Sequence, residues 1–150
     1  MEIEIPGRGV LKFHAVLFDL NGTLGKRGKV SKTVKEKLLK LSKKIKVVVL
    51  SADTFGTLKQ EFKGTRIEVR KVRNGIEKAK IAKTYSPYIA IGNGNNDVAM
   101  LESAVLGICV LGSEGASIEA LLASDVVVKD VEDALDMILE PDVLKATLRC

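Results

Sequence analysis

The chain has 150 residues, 46% hydrophobic and 29% charged, with 24 Lys and Arg against 19 Asp and Glu for a net charge of +5. This balance excludes a disordered or collagen-like chain, and a chain of this length can bury roughly 70% of its unfolded surface without disulfides or a structural metal. No apolar run approaches the roughly 18 to 20 residues of a membrane-spanning helix, so no membrane partner is expected.

The start, MEIEIPGRG, is acidic and alternating, unlike a signal or transit peptide. Residues 2–5 read as a strand, Pro6-Gly7-Arg8-Gly9 as a turn and Val10 to Phe13 as the returning strand of a hairpin. That hairpin could mediate assembly of a homo-oligomer or form an edge strand of the main sheet. His14 to Asp19 is a nearly continuous apolar run ending in a carboxylate, as in a strand buried on both faces. Asn21-Gly22-Thr23 breaks it as a loop. From Ser31 the period becomes helical, with Val34, Leu38, Leu41 and Ile45 on one face. Val47 to Leu50 is a second buried strand that ends at Ser51, and Arg66 to Val69 a third. A helix from Ile76 to Thr84 leads to a fourth strand, Tyr88 to Ile91, and the loop Gly92-Asn93-Gly94-Asn95-Asn96-Asp97. A helix (98–103), a strand (106–111), a helix (116–123), a short strand (126–128) and a C-terminal helix complete the pattern.

Alternating strands and helices predict one α/β domain over residues 1–150, a three-layer, Rossmann-like, doubly wound parallel sheet. Its parts are the hairpin at 1–13, a core at 14–129 and the C-terminal helix at 130–150. Ligands of such sheets sit beyond the carboxyl ends of the strands, where the polar residues collect. Cys109 and Cys150 do not make a disulfide framework and read as free thiols of a reducing, cytoplasmic compartment. Abundant Lys and Glu beside a single Gln, Gln60, is a compositional leaning of thermophile proteins.

Four features converge at those strand ends. Phe18-Asp19-Leu20-Asn21-Gly22-Thr23 sets a rigidly held carboxylate before a glycine that lets backbone amides approach an anion. Alone, Asp19 reads equally as a strand or turn cap. Ser51 alone reads as a turn or cap residue, and Lys78 as a solvated helix lysine. The loop at 92–97 lacks the third glycine of a dinucleotide fingerprint. The four together, in this order, are far more specific than any one.

On these motifs the sequence resembles the haloacid dehalogenase (HAD) superfamily of phosphohydrolases, in particular the phosphorylation domain of P-type ATPases and its small soluble relatives. The resemblance spans residues 14 to 129: His14 to Thr23, Val47 to Ser51, the Lys of Glu77-Lys78, and Ile91 to Asp97. It implies a hydrolase in which Asp19 attacks phosphorus and forms an aspartyl-phosphate. It further implies Mg²⁺ held by Asp19, Asn21 (through its carbonyl), Asn93 and Asp97. Ser51 and Lys78 would act with Asp19 and, together with Asn21, Gly22, Thr23 and Asn96, hold the phosphoryl group. Asp53-Thr54 is similar to the Asp after the second strand of P-type ATPases.

Two departures shape the expectation. Phosphatases of the family place an acid two residues after the nucleophile, where this chain has Asn21, so slow turnover is expected. Asn93 replaces a charged metal ligand, so Asp97 should carry more of a weak, millimolar-range affinity. Residues 25–30 and 53–74 are too short for a sizeable cap, which leaves a capless protein open to a small phosphate ester, ATP or a phosphoprotein. Four Phe, two Tyr and no Trp argue against a stacking platform for nucleic acid. The basic stretch Arg66, Arg70, Lys71 and Arg73 reads as a solvated edge, and His14 faces away from the Asp tip. Two other readings compete: a weakened scaffold that binds phosphate or metal, which Asn21 and Asn93 favour, and a response-regulator receiver, which the Gly22-Thr23 pair and the position of Asp19 on the first core strand oppose.

Overall fold

The computed structural model describes all residues from Met1 to Cys150. In chain order the strands and helices are β1 (Glu2–Ile5), β2 (Gly9–Lys12), β3 (Ala15–Phe18), β4 (Gly25–Lys26), β5 (Lys29–Val30), α1 (Lys32–Ser42), β6 (Lys46–Ser51), α2 (Leu58–Glu61) and β7 (Glu68–Lys71). They continue as α3 (Gly75–Lys83), β8 (Tyr88–Gly92), a 3₁₀ turn (Asn95–Asp97), α4 (Val98–Glu102), β9 (Leu106–Val110), α5 (Ile118–Leu122), β10 (Val126–Val128), α6 (Val131–Leu139) and α7 (Asp142–Leu148).

Six parallel strands form the central sheet in the order β10-β9-β8-β3-β6-β7. Strand β3 lies in the middle because the chain first winds outward through β6 and β7, then restarts on its other side at β8. This reversal opens a crevice at the carboxyl end of β3, the usual ligand position in such sheets. Alternation along β3 splits its side chains between two cores. Val16 and Phe18 face the layer of α1 and α6, with Val34, Leu38, Leu135 and Ile138. Ala15 and Leu17 face the layer of α3, α4 and α5, with Ala82, Met100, Leu101 and Ala120. The next residue on the second face is Asp19, so the pleat itself turns that carboxylate toward α3.

The three-layer doubly wound sheet agrees with the sequence pattern; four details differ. The hairpin β1–β2 is a separate two-stranded antiparallel sheet and not an edge strand of the main one. It buries Ile3, Ile5 and Phe13 in the core beneath α6 and α7, and Cys150 N donates to Pro6 O at 3.1 Å. The C-terminal helix is two helices, because Pro141 supplies no amide to continue α6. The third core strand starts at Glu68, not Arg66, because the Thr65 hydroxyl accepts from Ile67 N at 3.2 Å and holds that segment in a turn. The hairpin β4–β5 and helix α2 had no periodic signal. His14 is exposed at the opposite end of the sheet from Asp19, and Arg66, Arg70, Lys71 and Arg73 lie in water along the β7 side.

Candidate active site

Asp19, Lys78 and Asp97 meet beyond the carboxyl end of β3. Lys78 Nζ donates to Asp19 Oδ1 and to Asp97 Oδ1, both at 2.8 Å. Lys78 and Asp97 are 0% exposed and Asp19 is 6% exposed. Lys78 is therefore not the solvated helix lysine it resembles when read alone. Its position four residues before Ala82 puts it on the buried face of α3, with Ala79 and Ala82.

Two carboxylates share one ammonium, and the electrostatics follow. Burial, then the neighbouring Asp97, push the Asp19 carboxyl up, and the Lys78 ammonium only partly reverses this, so its pKa lies at about 6. Burial alone would drive Lys78 toward its neutral form. Asp19 and Asp97 more than offset that, and hold it above the ordinary lysine range. Asp19 Oδ1 is occupied by Lys78. Oδ2 has the Thr23 hydroxyl at 3.5 Å, too long for a good O–H···O hydrogen bond, and is the less engaged of the two carboxylate oxygens.

Two glycines let the loops close around this cluster. Gly22 has φ +80°, and a Cβ there would strike the Asn93 side chain. A Cβ at Gly92 would fall 2.7 Å from the Asp97 carboxylate. Without one, Asp97 folds back to accept from Asn93 N at 2.9 Å and Gly94 N at 3.0 Å. Asn93 in turn accepts from the Thr23 hydroxyl at 3.3 Å and donates to Gly115 O at 3.1 Å.

Of the residues singled out in the sequence, Asp19, Gly22, Thr23, Lys78, Asn93 and Asp97 come together. Asn21, Ser51 and Asn96 do not join them by side-chain hydrogen bonds. The Asn21 side chain accepts from Gly28 N at 2.7 Å and pins the β4–β5 hairpin. Buried Ser51 accepts from Asp53 N at 2.9 Å at the tip of β6. Asn96 is exposed, with no side-chain hydrogen bond. Sequence reasoning missed Glu114, whose carboxylate oxygen would lie 3.2 Å from a Cβ at Gly22. The turn-forming run Gly112-Ser113-Glu114-Gly115 was its only signal.

Asp19 Oδ2 and Asn93 Oδ1, 3.5 and 3.3 Å from the Thr23 hydroxyl, are the side-chain oxygens that could hold a divalent cation. Asp97 differs from the expectation, because Oδ1 is taken by Lys78 and Oδ2 by two amides. No three His, Cys, Asp or Glu side chains gather into a metal cage. One less engaged carboxylate oxygen with neutral oxygens fits Mg²⁺, which keeps several waters and shares its shell with substrate phosphate.

No family model matches the chain. Among solved structures it is similar to 3-deoxy-D-manno-octulosonate 8-phosphate phosphatase of Moraxella catarrhalis in complex with magnesium, phosphate and KDO. The TM-score is 0.64 at 16% identity, covering 91% of this chain and 94% of that one. It is also similar to the catalytic domain of the CPx-ATPase CopB-B, with a TM-score of 0.59 at 24% identity, covering 69% of this chain and 43% of that one. The chain has the fold of the haloacid dehalogenase superfamily hydrolases. By sequence it is 53% identical over 74 residues to Uncharacterized protein MJ0073 of Methanocaldococcus jannaschii, covering 49% of this chain and 80% of that protein. It belongs to that protein's family. No helix is long and apolar enough to cross a membrane.

Proposed function

We propose that the protein is a phosphohydrolase, dependent on Mg²⁺, that passes through an aspartyl-phosphate on Asp19. The observation that carries this reading is the buried Asp19–Lys78–Asp97 cluster at the carboxyl end of the central strand. A carboxylate held this rigidly, with one oxygen less engaged than the other and a glycine loop beside it, is arranged to receive a phosphoryl group. The Moraxella catarrhalis phosphatase of the same fold, seen with magnesium and phosphate, supports it.

In the first step Asp19 Oδ2 attacks phosphorus, and the bond to the leaving-group oxygen breaks with its electron pair on that oxygen, which takes a proton from water. In the second, water attacks the phosphorus of the acyl phosphate, and phosphate and the Asp19 carboxylate are regenerated. An ammonium has three N–H donors, and two are committed to Asp19 and Asp97. The third is left for a phosphoryl oxygen. Asp97 orients Lys78 and keeps it charged. Bound Mg²⁺ would neutralise charge between the Asp19 carboxylate and the phosphoryl oxygens, held by Asp19, the Asn21 carbonyl and Asn93. Asn21 moves no proton, and its side chain is engaged with Gly28, so both proton transfers go to solvent and turnover is slow.

The test is phosphate release from 4-nitrophenyl phosphate and from ATP, with and without Mg²⁺, for the native protein and Asp19→Asn. Metal-dependent release that the substitution abolishes is expected. Release that survives in Asp19→Asn removes the reading. The engaged Asn21 favours a second reading, a phosphate- or metal-binding scaffold. Beryllium fluoride binding without any turnover supports that one.

A further inference from the structure

Three cations crowd four consecutive residues, 26–29, of the β4–β5 hairpin. Lys26 stands directly across the ladder from Lys29, and Arg27 takes the first place of the two-residue turn between them. Like charges facing one another across a strand pair repel. None of the three forms an ion pair with a carboxylate. The turn has φ 49° at Arg27 and φ 77° at Gly28, a type I′ shape in which Asn, Asp or Gly sits with the least strain. An Asn-Gly pair would fold this hairpin better than Arg-Gly. Folding alone gives no reason for these cations.

Their place in the molecule does. Lys26 and Lys29 line an open cavity of about 460 Å³ whose other lining residues include Gly22 and Thr23. Asp19 is not part of its lining, and Thr23, whose hydroxyl lies 3.5 Å from Asp19 Oδ2, stands between the two. Asn21 fixes the hairpin to this spot through Gly28 N, and the Thr57 hydroxyl donates to Gly28 O from the far side. The opposite wall carries the carboxylates Glu114, Asp130 and Glu132. Asp130 holds the N-cap position of α6 and Glu132 lies in its first turn, where the helix N-terminus offsets part of their charge. Glu114 is left to face Lys26 and Arg27, and Glu61, which accepts from Val30 N at 3.0 Å, stands beside Lys29. Phe55, 51% exposed and the most exposed of the Phe and Tyr rings, backs onto the hairpin, its Cβ 3.0 Å from a Cβ placed at Gly28.

We propose that this hairpin is a subsite for negative charge on the leaving group. The substrate is then a small phosphate ester or anhydride whose departing part carries at least one further phosphate or carboxylate. The proposal rests on the phosphohydrolase reading of Asp19 and narrows its substrate class.

The test is the double variant Lys26→Ala/Arg27→Asn, which keeps a type I′ turn through its new Asn-Gly pair. KM and kcat are measured with ATP, with phosphoglycolate, and with 4-nitrophenyl phosphate, which has no charge beyond the phosphoryl group. The ratio of KM for either polyanion to KM for 4-nitrophenyl phosphate is expected to rise about tenfold or more. A ratio that stays put overturns the proposal. Phe55→Ala separates the sources, since it weakens ATP alone if the charge belongs to a nucleotide and neither polyanion if it belongs to a ring-free acid. Calorimetric titration with inorganic tripolyphosphate needs no turnover. Weaker binding to the double variant supports the subsite even if no ester is hydrolysed, in which case only the reading of Asp19 fails. Equal binding overturns the subsite whatever Asp19 does.

Discussion

Asp19 stands in a place that favours its protonated form, and this has a measurable sign. A carboxyl raised to about 6 contributes stability that is fully present below pH ~4 and is lost as pH climbs through 6. At pH 7.5, without a divalent ion, the ionised carboxylate therefore costs up to about 3 kcal/mol. Asp19→Asn removes that cost and leaves Lys78 balanced by Asp97 alone. We expect its Tm to exceed that of the native protein by a few degrees at pH 7.5, and the gain to shrink to about a third near pH 4.5. Calorimetric scans at the two pH values check this. A lower Tm at pH 7.5 would mean that the pair with Lys78 outweighs the repulsion from Asp97.

At the scale of elements, the site depends on how closely β8 and its loop turn back on themselves. Gly92→Ala would place a methyl group 2.7 Å from the Asp97 carboxylate, where neither strand nor buried Asp can give way. A loss of roughly 2 to 3 kcal/mol is expected from the clash and the freed amides, read as a lower urea midpoint. The regular elements were legible because apolar residues recur at fixed periods. Val34, Leu38 and Leu41 marked α1, and the runs at 15–18, 47–50 and 88–91 marked buried strands. What escaped had no period to read. Strands β4 and β5 have two residues each, and α2 has four. The break at Pro141 did carry a signal, since a proline cannot continue the turn before it.

Across the whole molecule, the motif residues collect at one end of the sheet, because a doubly wound topology delivers the end of every parallel strand to one side. Residue type and spacing brought Asp19, Lys78 and Asp97 together. They could not tell which way Asn21 and Ser51 would point, because that depends on the small hairpin and the 52–57 loop, to which both side chains turn instead. Nor could they tell how dry the cluster is. Lys78 is the one lysine fully enclosed by protein, touching groups 59 and 19 positions away along the chain. An amine-acylating reagent should thus mark the other lysines rapidly and this one only when the molecule opens globally, because acylation needs a neutral amine freed from Asp19 and Asp97, whereas a phosphoryl oxygen needs only an N–H. Peptide mass mapping of label at Lys78 against time would then serve as a clock for native-state unfolding, and labelling as fast as at Lys80 would show that the enclosure breathes locally.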